Sequence, residues 1–255
     1  MKKQPVQHSR EEIVYGIQPV LEAFASGRTI DKIMIQKGSE NPLLKEIQAK
    51  AYQYHVPTLQ VPIEKLSKIT RKNHQGVIAL MAAVDFTPLH QLLPTVFEKG
   101  EIPLVLLLDR ITDVRNLGAI ARSAECAGVH GIIVPFKETA QLGSDAMRTS
   151  AGALHHVPVC REKSLKQTVK FLQESGLQVV ACTEKAEKNL YQMDFTLPTA
   201  IVVGSEEDGI SPEILQSVDE LVRIPMCGKV SSLNVSVATG VMLFEVRRQR
   251  LQTKF

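Results

Sequence analysis

Arg223-Ile-Pro-Met-Cys-Gly-Lys-Val-Ser-Ser-Leu-Asn-Val-Ser-Val-Ala-Thr-Gly-Val-Met-Leu-Phe-Glu245 holds a strand end, a loop and a helix in succession. Leu221 to Ile224 reads as a short apolar strand, and Pro225 and Gly228 punctuate the loop that follows. Ser231, Ser232 and Asn234 cluster where a helix of about Leu233 to Gln249 is predicted to start. One reading is a capped, buried helix, with Ser232 as N-cap and Asn234 in the first turn. The other is a ligand loop, because open α/β sheets bind ligands where a strand gives way to a helix. The helix puts Val237, Val241 and Phe244 on one stripe and is rich in small and β-branched residues, which are mediocre helix formers. Tight packing is therefore expected to hold it.

Upstream, Ile102-Pro-Leu-Val-Leu-Leu-Leu-Asp109 is a continuous apolar run, the pattern of a strand buried on both faces. Further strands are predicted at 131–134, 178–181, 200–203 and 221–224. Helices fit between them at 117–127, 144–151, 164–174 and 212–217. This alternation argues for a parallel sheet covered on both faces.

The first 82 residues form a separate pattern. Residues 2–9 read as a disordered arm and Ser9-Arg-Glu-Glu12 fits a capping box. Helices are predicted from about Pro19 to Ser26, Pro42 to Tyr54 and Ile63 to Ile69. Strands are predicted at 31–36 and 76–82, with a short extended piece at 57–61. The expected organisation is a small α/β domain at 1–82, a proline-bracketed linker at 83–102 and a larger domain at 103–255.

The totals bound the class. The chain has 255 residues, 44% hydrophobic and 22% charged, which suits a globular protein. No apolar run is long enough to span a bilayer. Cys126, Cys160, Cys182 and Cys227 are scattered without a CxxC pair, which reads as reduced, mostly buried thiols in a cytoplasmic protein and suggests no metal site. Net charge is +3, but residues 1–82 hold 12 Lys/Arg against 7 Asp/Glu. That bias suits either solvated lysines or a nucleic-acid partner. Arg71-Lys-Asn-His-Gln-Gly76 is correspondingly either a polar turn or an RNA-facing loop.

In a parallel sheet the loops after the strands share one edge. Those loops here are Asp109 to Ala124, Gly204-Ser-Glu-Glu-Asp-Gly209 and Pro225 to Asn234. GxGxxG and GxxxxGK[ST] are both absent, which argues against a dinucleotide or P-loop site. The three acids of 204–209 oppose phosphate and suit a cation, ribose hydroxyls or an amino group, unless they only decorate a helix N-terminus. Asn116 reads equally as an N-cap and Arg122 as a solvated cation.

Asn116-Leu-Gly-Ala-Ile-Ala-Arg122-Ser-Ala, Gly204-Ser-Glu206-Glu-Asp-Gly209 and Ile224-Pro-Met-Cys-Gly-Lys-Val-Ser-Ser232-Leu-Asn234-Val-Ser-Val-Ala resemble, in order, the three motifs of the SpoU (TrmH) family of RNA 2′-O-ribose methyltransferases, within the SPOUT superfamily. Tyr15-Gly16 and His74-Gln75-Gly76 carry a weaker match to the ribosomal-protein-like substrate domain of the branch that methylates 23S rRNA guanosine. Val114-Arg115, where Pro and His are common, and Glu207-Asp208, where Gly-Glu is common, depart from the motifs without removing a motif residue.

The resemblance implies an α/β SPOUT domain with a C-terminal trefoil knot, an exception to the rule against threaded chains. It implies S-adenosylmethionine as cofactor, held by Gly204, Ile224 and Leu233. It implies Asn116, Arg122, Glu206, Ser232 and Asn234 at the catalytic site, a homodimer, and an RNA partner, 23S rRNA before tRNA. An RNA-binding assembly factor without catalysis and a small-substrate α/β enzyme are the readings from other classes.

Overall fold

The computed structural model describes residues 13–230 and 232–252. The N-terminal arm, the capping box at Ser9 to Glu12, and Ser231 lie outside the described residues. The chain divides into two compact units, residues 1–84 with 141–144, and residues 85–140 with 145–255.

The first unit is built from β1 (Ile13–Tyr15), α1 (Ile17–Ala25), β2 (Ile30–Gln36), α2 (Pro42–Gln53), β3 (Thr58–Val61), α3 (Ile63–Ile69) and β4 (Val77–Met81). Its sheet runs β1-β4-β2-β3, with β4 antiparallel to both neighbours and β2 parallel to β3. One face buries Ile33, Ile35, Val77 and Ala79 with Val20 of α1 and Ile47 of α2. The other packs Ile78, Leu80 and Val61 with Leu66 of α3. The turn before β4 is structural. Gln75 adopts φ +49° and its Oε1 accepts from the Ile17 backbone N–H at 2.9 Å, supplying the cap that Gly16 cannot. His74 is buried; its Nδ1 accepts from Gly76 N at 3.1 Å and its Nε2 lies 3.3 Å from Ser67 Oγ. Arg71 and Lys72 of the same stretch stay exposed.

The second unit continues with α4 (Leu89–Glu98), β5 (Leu104–Asp109), α5 (Val114–Cys126), β6 (Gly131–Pro135), α6 (Ser144–Thr149), β7 (Val159–Glu162), α7 (Leu165–Glu174), β8 (Gln178–Cys182), β9 (Thr199–Gly204), α8 (Pro212–Leu215), β10 (Glu220–Val222) and α9 (Val235–Gln252). The sheet order is β10-β8-β9-β5-β6-β7, with every pairing parallel. Every residue of β5 is buried. Val105 and Leu107 join the core with α4 and α7. By strand alternation Leu106 and Leu108 face the opposite layer, where α5 packs on α9 and α9 on β9.

The α9 stripe differs from the reading above. The helix buries Val235, Thr239, Met242, Leu243 and Val246, while Val237 and Phe244 remain 51% and 54% exposed. Apolar residues lie on every side of this helix, so periodicity could not select the packed face. Strand β7 lies at the sheet edge, where only two of its four residues are buried. Two cysteines, Cys126 and Cys227, are exposed rather than buried.

The C-terminal end of α9 is tied to the base of the sheet by Arg250. This buried guanidinium donates to the carbonyls of Ile102 (2.7 Å), Pro103 (3.0 Å), Phe195 (3.0 Å) and Leu197 (2.8 Å). Burial pushes its pKa down to about 10, still well above neutrality, so it remains charged. Among the described residues no helix is long and apolar enough to cross a membrane, and no group of three or more His, Cys, Asp or Glu could hold a metal ion.

Candidate active site

Strands β5, β6 and β7 step one way across the sheet, while β9, β8 and β10 lie on the other side of β5. The loops after β5 and β9 therefore diverge at a topological switch point, where a crevice forms. The loop after β9 folds back tightly. Ser205 and Gly209 exchange backbone hydrogen bonds of 3.1 and 3.0 Å, and Gly209 takes φ +69°. A Cβ on Gly204 would lie 2.2–2.4 Å from the backbone of Gly209 and Ile210, so only glycine fits.

The end of β5 clamps this loop. Asp109, 4% exposed, accepts from Ser211 N at 2.6 Å. Arg110 adopts φ +59° and reaches Asp208 (3.3 Å) and the Gly209 carbonyl (3.2 Å). A non-glycine residue in that region costs free energy, of order 1–3 kcal/mol, and such residues concentrate at functional sites.

Three motif residues converge on one amide. Asn234 Nδ2 donates to Asn116 Oδ1 at 3.0 Å and to Glu206 Oε1, while its Oδ1 accepts from Ser236 N at 2.9 Å. Asn234 is thus the cap of α9, in place of Ser232. Its orientation is forced, because only the nitrogen can donate to a carboxylate and only the oxygen can cap a helix. Asp113, not Asn116, caps α5 by accepting from Arg115 N at 2.7 Å. The Arg115 guanidinium holds the Asp113 carboxyl down to about 2, and Glu206 adds to the field on Arg115.

Beside this cluster lies a cleft of about 300 Å³ lined by Gly204, Ile224, Ser232, Leu233, the acids Glu206 and Glu207, and the thiol of Cys182. Burial pushes that thiol up to about 11, so it stays protonated and weakly nucleophilic. Apolar Val203, Ile210, Leu215 and Leu233 lie beside four acids, Glu184, Glu206, Glu207 and Asp208, against one lysine, Lys185; the acidic excess suits a nucleoside bearing positive charge and disfavours a nucleoside phosphate. The residues therefore fit S-adenosylmethionine. Arg122 stands apart. It is exposed on α5, six residues and about 9 Å of helix rise beyond Asn116. Sequence reasoning missed Arg110, whose role depends on loop geometry, and Asp113, which its N-cap preference just before Val114 could have revealed.

Replacing Asn234 by Asp keeps a good cap but removes both side-chain donors and sets a second carboxylate against Glu206. Asn234→Asp is expected to leave the melting temperature within about 2 °C while turnover at this site falls roughly tenfold or more. An enzyme of normal rate would show that the amide cluster has no part in turnover.

A profile of the SpoU rRNA methylase family matches residues 103–244, and a profile of RNA 2′-O ribose methyltransferase substrate binding matches residues 13–87. A protein of Bacillus subtilis (strain 168) described as a TrmH family tRNA/rRNA methyltransferase is 34% identical over 241 residues, 94% of this chain and 97% of its own length. The AdoMet-bound rRNA methyltransferase of Sinorhizobium meliloti superposes with a TM-score of 0.60 at 29% identity, covering 93% of this chain and 87% of its own. The TrmH/SpoU tRNA modifying enzyme of A. aeolicus, at a TM-score of 0.55 and 32% identity, covers only 65% of this chain and 85% of its own.

Proposed function

The chain belongs to the SpoU rRNA methylase family and is an RNA methyltransferase that uses S-adenosylmethionine; from that premise we propose that it methylates the ribose 2′-hydroxyl of a guanosine in 23S rRNA. The observation that carries the site is the convergence of Asn116, Glu206 and Asn234, from three separate segments, beside the cleft. The substrate-binding profile over residues 13–87 favours rRNA, since the tRNA enzyme of A. aeolicus covers only 65% of this chain.

S-adenosylmethionine bound in the cleft supplies an electrophilic methyl group. Gly204, Ile224 and Leu233 hold the cofactor through backbone atoms made accessible by the tight 204–209 turn. A ribose hydroxyl is a weak nucleophile at neutral pH, so positioning and proton removal must carry the rate. Arg122 grips the phosphate next to the target ribose. Its guanidinium stays charged and is no base, so a phosphate oxygen accepts the hydroxyl proton. Asn116 and Glu206, linked through Asn234, hold the three loops in register, and Ser232 faces the substrate. The Cys182 thiol, held protonated, is a weak competing nucleophile.

Two further features belong to this reading. The chain leaves edge strand β10, passes the end of β9, and returns α9 against α5 at the sheet centre, a route consistent with a trefoil knot. The exposed Val237 and Phe244 on α9, a helix that packs on the α5 that carries Arg122, suit a homodimer in which Arg122 serves the partner's cleft. Arg122→Ala is expected to lower kcat by roughly tenfold or more with cofactor affinity unchanged; near-normal turnover would remove Arg122 from the site. Transfer of labelled methyl to 23S rRNA and to bulk tRNA, with nuclease mapping, tests the substrate. Label in a single 2′-O-methylguanosine of 23S rRNA is the expected result, and label confined to tRNA overturns it.

A further inference from the structure

The smaller unit has one sheet face that is closed and one that is half open. On the α3 side the register sets Tyr15, Ile78, Met34 and Leu59 in a row across all four strands. Helix α3 covers the middle of that row, where Ile78 is fully buried. Its two ends are not covered: Leu59 is 46% exposed and Tyr15 is half-buried. Four strands span about 15 Å at the usual spacing, so the uncovered ends flank α3 on both sides.

The charge on this side is predominantly positive. Lys65 and Lys68 on α3 and Arg71 and Lys72 just after it are exposed, and Lys32 lies on the same sheet face opposite Leu80. Within residues 63–73 the only acid is Glu64. The Lys72 ammonium sits 5.4 Å from the centroid of the Tyr15 ring, held by an aromatic face instead of a carboxylate. On α2, which packs on the opposite face, Lys45 and Lys50 are interleaved with Glu46. The basic excess of the N-terminal third is therefore concentrated along α3.

We propose that Lys65, Lys68, Arg71 and Lys72, with Tyr15 beside them, form the surface on which this unit holds the RNA backbone. Cations in a line contact successive phosphates and release counterions, which provides affinity without reading sequence. A protein partner of ordinary acidity would meet the same charge, but four exposed cations against the single acid Glu64, with the Tyr15 ring among them, favour a polyanion. His74 and Gln75, in the same stretch, hold the turn that presents Arg71 and Lys72. This inference rests on RNA being the substrate.

The test compares the full-length chain with a Lys65→Ala/Lys68→Ala/Arg71→Ala/Lys72→Ala variant and with a Lys45→Ala/Lys50→Ala control, binding a 23S rRNA transcript across a salt series. The fourfold variant is expected to lose roughly tenfold or more in affinity near 0.1 M salt and to flatten the slope of log K against log salt by about 3. Its S-adenosylmethionine affinity and melting temperature are expected to match those of the unaltered chain. An unchanged slope, or an equal loss in the control, overturns the surface assignment while leaving methyl transfer by the unaltered chain intact. Absence of methyl transfer to any RNA by the unaltered chain instead overturns the substrate reading beneath it.

Discussion

Gly204→Ala is expected to abolish measurable S-adenosylmethionine binding, weakening it by a hundredfold or more in calorimetry, and with it methyl transfer. The added methyl would stand 2.2 Å from the Gly209 carbonyl carbon, 2.3 Å from its oxygen and 2.4 Å from Ile210 N. Those atoms are backbone, and the Ser205–Gly209 hydrogen bonds and the Arg110 clamp hold them. No side-chain rotation relieves the clash, so the turn must open. Opening moves Glu206 off Asn234 and removes the wall of the cleft. Overpacking of this kind costs typically about 1–3 kcal/mol, so the protein still folds. Gly209→Ala is the contrast. Nothing lies within 4 Å of its missing Cβ, and its cost is that of positive φ alone, about 1–2 kcal/mol. Normal cofactor affinity in Gly204→Ala would exclude the 204–209 turn from the binding site.

Arg250→Ala is expected to be the most destabilising single truncation, at about 3–5 kcal/mol, or roughly 10 °C in melting temperature. It removes a donor from four carbonyls at the base of the sheet; those of Pro103 and Leu197 keep bonds from Thr199 N and Oγ1, while those of Ile102 and Phe195 lose theirs. Each buried acceptor so stranded costs about 1–3 kcal/mol before water enters. Arg250→Lys keeps the charge but presents a compact ammonium in place of the planar fork, and is expected to recover part of the loss. Thermal melts of the two variants check this; a shift under 2 °C for Arg250→Ala would mean that α9 is anchored by its apolar contacts alone.

Much of the larger unit could be read before its structure. Leu104 to Asp109 is apolar throughout because both sheet faces are covered, and a run of that kind has few alternatives. Of the five residues that the family resemblance grouped, Asn116, Glu206 and Asn234 meet, Ser232 lines the adjoining cleft and Arg122 stands apart. Less was visible where residue type says little about direction. Val237 and Phe244 looked like packing residues because α9 has apolar side chains all round. β1, only three residues long, was hidden by the adjoining Gly16 and Pro19. Asn234 and Ser232 are both good caps, so spacing alone could not choose between them. Arg110 in the left-handed region follows from tertiary constraint, which no local preference anticipates.

The central strand has a consequence for synthesis. β5 pairs on one side with β6, close in the chain, and on the other with β9, about 95 residues later. At bacterial or eukaryotic elongation rates that interval is about 5–20 s. Throughout it a nascent chain carries Leu104-Val-Leu-Leu-Leu108 with one edge unpaired, a wholly apolar segment without charge or proline. The last helix, which covers the opposite layer, emerges later still. The period between translating β5 and releasing α9 is therefore when this protein is most exposed to aggregation, and slowing translation over residues 110–200 should lower soluble yield more than slowing it before residue 100.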